Sequence, residues 1–122
     1  MLVELENNGD VCVLRLHGRF ATGRDSAYLR AKTEEIKNSG LPKVLADFSE
    51  VEYIDSTGIG FLIGIYTSIL RSPSGLFVLA NPNRRVRDVL ELTRLANVMP
   101  IYSTFDSALE ALRLAKANKQ AS

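Results

Sequence analysis

Val44-Leu45-Ala46-Asp47-Phe48, followed by Tyr53-Ile54-Asp55-Ser56-Thr57-Gly58-Ile59-Gly60, is the stretch on which the reading of this chain turns. The first segment is apolar without alternation, as a strand is when both its faces are covered by helices. A loop from Glu50 to Asp55 is expected next, then a helix from about Ser56 to Leu70. That helix is apolar nearly all round, so it is expected to be the most buried helix of the fold. Two hydroxyls and an acid stand at its start, where free amides and the positive dipole end accept an oxygen or a phosphate. Gly58 and Gly60 keep the first turn slim, so another backbone could approach it closely. The plainer alternative is that Ser56 or Asp55 only caps the helix, a role worth ~1 kcal/mol.

Working outward, Glu4-Leu5-Glu6 alternates weakly, and Asn7-Asn8-Gly9-Asp10 supplies turn residues before a strand from Val11 to His17. This predicts an antiparallel hairpin with Cys12, Leu14 and Leu16 on one face. Thr22 to Asp25 fits a capping box opening a helix to about Lys37, with Leu29, Thr33 and Ile36 inward. Asn38 to Pro42 ends it. Beyond the central helix, Leu76 to Leu79 is a buried strand. Asn81-Pro82 starts a helix with Val86, Val89, Leu90 and Thr93 on one side, and Met99 to Tyr102 is a short edge strand. Ser103 to Asp106 is a second capping box, opening a helix with Phe105, Ala108, Leu109 and Leu112 inward. The order β-β-α-β-α-β-α-β-α predicts an α/β domain: a mostly parallel sheet with an N-terminal antiparallel hairpin and about four helices. The domain is expected over residues 1–115, with 116–122 a frayed polar tail.

The 122 residues suffice for one domain, and a formal net charge of +1 argues against nucleic acid as the main partner. Cys12 is the single cysteine, so no intrachain disulfide forms and a reducing compartment is expected. No leader peptide is legible at the N-terminus, and the longest apolar stretch, Ile59 to Leu70, is too short to span a bilayer. A cytoplasmic protein is the expectation. With one His and one Cys, zinc ligand sets are absent, and neither a metal nor a cofactor is expected. Gly58-Ile59-Gly60 lacks the third glycine of a dinucleotide loop, where Ile63 stands instead. No nucleophile elbow exists for a hydrolase, and His17 sits at a strand end. Asp47 ends a parallel strand as a receiver phosphoacceptor would, but the acidic pair and the lysine a receiver needs are missing. Asp47 is therefore read as structural, or as part of the rim around Ser56. Arg84, Arg85, Arg87 and Arg94 form a basic cluster, read as a solvated helix face or as a contact for an acidic partner.

Asp55-Ser56-Thr57-Gly58-Ile59-Gly60, preceded by Ile54, resembles the signature of the STAS family, the sulfate transporter and anti-sigma factor antagonist domain. Leu14-Arg15-Leu16-His17-Gly18 resembles the family's strand ending in glycine, and Val44 to Phe48 its strand before the signature. Leu76 to Ala80, Val86 to Leu95 and Phe105 to Leu112 match its later elements. The resemblance implies an anti-sigma factor antagonist that is not an enzyme and acts by partner switching. The unphosphorylated form would bind an anti-sigma factor and free the sigma factor. The anti-sigma factor, itself a serine kinase, would end this by phosphorylating Ser56, and a PP2C-type phosphatase would restore the active form. The partner surface it implies comprises Asp55, Ser56, Thr57, Gly58 and Ile59, with Thr22 and Arg24 from a loop placed beside them. The alternative is a constitutive scaffold subunit of a lipid-transport or stress-sensing complex. One departure concerns Arg19-Phe20-Ala21-Thr22, where many antagonists carry an aliphatic residue followed by an acid or threonine.

Overall fold

Gly9 takes a left-handed φ of 65° and reverses the chain between β1 (Leu2–Asn8) and β2 (Val11–Phe20). A left-handed residue matches the twist of a tight hairpin, and glycine adopts it without steric cost. The two strands pair antiparallel from Leu2↔His17 to Asn8↔Val11. The computed structural model describes the backbone of residues 2–20 and 26–121, and the side chains of 2–20 and 27–115. After β2 come α1 (Ser26–Asn38), β3 (Lys43–Ile54), α2 (Ser56–Ile69), β4 (Leu76–Ala80), α3 (Arg84–Leu92), a 3-10 turn at Leu95–Asn97, β5 (Ile101–Tyr102) and α4 (Phe105–Ala121).

The sheet order is β1-β2-β3-β4-β5, with every pair after the hairpin parallel. Because the order never reverses, crossovers of one hand lay their helices on one face of the sheet. The larger apolar cluster accordingly joins residues of α1, α2 and α3 to Cys12, Leu14, Leu16, Val44, Ala46 and Phe48. On the other face, among the described residues, only α4 packs: Ala108, Leu109 and Leu112 meet Val11, Val13, Leu45 and Val78. The sheet is thus the middle layer of three, and the unalternating strand at Val44–Phe48 is buried on both sides as expected.

Several local expectations are corrected. β3 does not end before a loop at Glu50 but continues to Ile54, because β2 also runs on past His17 and pairs Gly18↔Val51, Arg19↔Tyr53 and Phe20↔Ile54. Register shifts beside Gly18, whose φ is 91°, break the two-residue period that would have announced the extension. His17 is therefore interior to a strand and pairs with Glu4 at 2.7 Å. Asn83, rather than Asn81, caps α3, accepting from the Val86 amide at 2.8 Å. The final helix is capped by Thr104, which accepts from the Ser107 amide at 3.0 Å, one residue later than the expected box. The inner faces of α1 and α4 hold, with Leu29, Ile36, Ala108, Leu109 and Leu112 buried. Thr33 is only partly buried and its hydroxyl donates to the Leu29 carbonyl, while Thr93 is exposed. The capping box at Thr22 to Asp25 lies outside the described residues.

Candidate functional site

The C-terminal ends of β2 and β3 position the start of α2. The Asp55 amide donates to the Phe20 carbonyl at 3.0 Å, which ties the first residue before the helix to the end of β2. The Asp55 side chain then accepts from the Thr57 amide at 2.9 Å, and its carbonyl accepts from the Ile59 amide at 2.9 Å. Asp55 is therefore the N-cap, and the capping role considered for Ser56 is already filled. Ser56 is the first helical residue. It is exposed, and its hydroxyl makes no hydrogen bond within the described residues.

The glycines behind it differ from the expectation. Gly58 is buried, and a Cβ there would stand 2.9 Å from Phe20 Cβ and from Ile54 Cδ1. It is kept slim by side chains of its own sheet rather than by another backbone. A Cβ on Gly60 or Gly64 would meet nothing within 4 Å. These two instead leave open space on the outer side of α2. Five residues of α2 are buried (Gly58, Phe61, Leu62, Ile65 and Ile69), but Ser56, Gly60, Ile63, Thr67 and Leu70 form an exposed strip. Ile63 is 42% and Leu70 44% exposed, so the helix is not covered all round.

Between α1 and α2 this space becomes a groove of about 490 Å³, lined by Leu29, Arg30, Thr33, Glu34, Ser56, Thr57, Gly60, Phe61 and Gly64. Arg30 and Glu34 were not legible as site residues in the sequence. Parallel topology sets α1 beside α2, but the groove depends on the missing side chains at Gly60 and Gly64. On the other flank, the guanidiniums of Arg19 and Arg85 lie 5.4 Å and 5.3 Å from the Tyr53 ring centroid. Asn83 donates to the Val51 and Glu52 carbonyls, which fastens the start of α3 beside the end of β3. Arg84, Arg85 and Arg94 are exposed, and Arg87 is partly so.

Of the residues expected at the site, Asp55, Ser56 and Thr57 present side chains at the start of α2, whereas Gly58 faces inward and Ile59 packs against the core. Thr22 and Arg24 lie outside the described residues. Asp47 is not part of the rim. It is 5% exposed within β3, accepts from Arg15 at 2.8 Å and from the Ser49 amide at 3.0 Å, and shares its strand parity with Leu45 of the α4-side cluster. Cys12 is fully buried, and that burial pushes its thiol up from the ordinary cysteine range, only partly offset by a hydrogen bond with Ser39. Among the described residues no helix is long and apolar enough to cross a membrane.

Comparison with known proteins gives this arrangement a context. A candidate anti-sigma factor antagonist of Thermotoga maritima is 40% identical over 80 residues, covering 66% of this chain and 70% of that protein. The anti-sigma F factor antagonist of Paenibacillus polymyxa is 23% identical over 112 residues, 92% of this chain and 95% of its own length. The crystal structure of a candidate anti-sigma factor antagonist from Thermotoga maritima superimposes with a TM-score of 0.77 at 30% identity, covering 91% of this chain and 94% of the other. The fold is also that of the Bacillus cell fate determinant SpoIIAA in its phosphorylated form, with a TM-score of 0.69 at 23% identity and coverage of 91% and 99%. The five-stranded mixed sheet and four α-helices of the described residues agree with a match of the STAS domain over residues 3–108, and the chain belongs to the STAS family.

Proposed function

We propose that this chain is an anti-sigma factor antagonist whose switch is phosphorylation of Ser56. The observation that carries the proposal is an exposed hydroxyl on the first turn of α2 that is unbonded within the described residues, with the capping duty taken by Asp55. A serine that holds the helix together could not be modified without cost to the fold. This one can. The relatives named as anti-sigma factor antagonists support the identity of the partner, and a fold neighbour known in a phosphorylated form supports the chemistry.

In the cycle proposed, the unmodified protein binds an anti-sigma factor through the start of α2 and frees its sigma factor in the cytoplasm. The anti-sigma factor transfers the γ-phosphoryl group of ATP to Ser56 Oγ, leaving ADP, and the hydroxyl proton is released. A PP2C-type phosphatase uses water to return the hydroxyl and inorganic phosphate. The chain is substrate and ligand in these steps and catalyses neither. Phosphate adds about −1.5 to −2 charge at neutral pH beside Asp55. A hundredfold loss of affinity needs only ~2.7 kcal/mol, within reach of repulsion and desolvation at a tight interface. The test is incubation with candidate anti-sigma kinases and ATP, followed by mapping of phosphate by mass spectrometry. Phosphate on Ser56, absent from Ser56→Ala, is the expected result. If no kinase modifies Ser56 and neither Ser56→Ala nor Ser56→Asp alters partner affinity, a constitutive scaffold is the better reading.

A further inference from the structure

α1 and α2 each connect neighbouring parallel strands, so both run in the same direction. In the groove between them, Arg30 and, one turn further along α1, Glu34 share the lining with Ser56, Thr57, Gly60 and Gly64 of α2. The two are i and i+4 on one helix, a spacing at which opposite charges commonly pair. Here they do not. Glu34 meets Lys37 at 3.3 Å, and Arg30 makes no hydrogen bond or ion pair within the described residues. Gly60 and Gly64 contribute no side chain to fill the space in front of it. The groove is thus lined by Arg30 on α1 and Ser56 on α2, both without a side-chain hydrogen bond within the described residues.

We infer that Arg30 is the intramolecular partner of the phosphate carried by phosphorylated Ser56, bridging α1 to α2 across the mouth of the groove. The inference rests on the phosphorylation reading above and adds to it how the modified state is held. A guanidinium presents paired N–H donors that match two phosphate oxygens, which a single ammonium cannot do as well. The bridge would close a groove that is open in the unmodified protein. Switching then alters shape as well as charge, and the phosphate is held in place over the surface a partner would contact. Arg30 acts here as a positioning residue for the modified state.

The test installs phosphoserine at position 56 by genetic-code expansion, so that it does not depend on any kinase. The second ionisation of the phosphate is then followed by phosphorus-31 NMR titration in the otherwise native chain and in Arg30→Gln, Arg30→Lys and Arg87→Gln variants. A neighbouring cation favours the dianion, so Arg30→Gln should raise that pKa by about one unit. Arg30→Lys should recover part of the difference, and Arg87→Gln, which removes a cation from α3, should leave the titration unchanged. Equal titration of the native chain and Arg30→Gln overturns the inference, as does an equal shift from Arg87→Gln. Either result would leave the phosphorylation reading standing, because that reading is decided by whether a kinase modifies Ser56.

Discussion

Two charged regions of this molecule behave in opposite ways. On the α4 side of the sheet the charges stand in ion pairs, although the buried Lys43 Nζ makes no hydrogen bond within the described residues. Arg15 reaches Glu6 at 2.6 Å and Asp47 at 2.8 Å while lying 5.1 Å from the Phe105 ring, His17 meets Glu4, and Lys43 meets Asp10 at 3.2 Å. At the start of α2 the groups are left open. Arg30 and the Ser56 hydroxyl face a groove with no partner within the described residues. A region whose charges are mutually paired has little to offer an incoming group, and changing it mainly disturbs the fold. A region with an uncommitted hydroxyl, an uncommitted cation and space kept by glycines can take up a new charge while the core stays as it is.

That contrast can be broken or sharpened by substitution, read as unfolding free energy in denaturant titrations. The largest effect is expected from Gly58→Ala, under the open region. Its methyl would press on Ile54 and on Phe20 Cβ, an atom that moves only with its backbone, and the overpacking should cost about 3 kcal/mol. Arg15→Ala should cost about 2 kcal/mol, because it leaves the nearly buried Asp47 carboxylate with the Ser49 amide as its remaining donor among the described residues. Asp55→Ala removes the cap of α2 and should cost about 1 kcal/mol. Ser56→Ala should change stability by less than about 0.5 kcal/mol, since the hydroxyl bonds to nothing within the described residues. If Ser56→Ala instead matches Asp55→Ala, the serine shares the cap and the two regions differ less than described. A mild Arg15→Ala would likewise show that the pairs on the α4 side are held loosely by solvent.

Much of the fold was legible in the chain because periodicity and punctuation agree there. Val44 to Phe48 reads as a doubly covered strand, Cys12, Leu14 and Leu16 share a face, and Gly40, at φ 71°, marks the stop after α1. What escaped depends on pairing between distant segments. The upper half of β3 has no clean alternation, since its partner strand is bulged beside Gly18, and so it reads as a loop. Asp47 proves structural, one of its two expected roles, and the rim role fails for the same reason: with β3 cut short, it stands at a strand end rather than in the interior among Arg15 and Ser49. The place of Ser56 at the start of α2 was legible in the chain. The groove was not, because it is made by absent side chains at Gly60 and Gly64 and by α1 residues that look like an ordinary solvated face.

The most direct test of the account is calorimetric titration of the cognate anti-sigma factor with the unmodified chain and with the chain phosphorylated on Ser56. The account predicts binding of the unmodified form and a loss of at least about a hundredfold on phosphorylation, with the circular dichroism spectrum unchanged. Equal affinity of the two forms would contradict it.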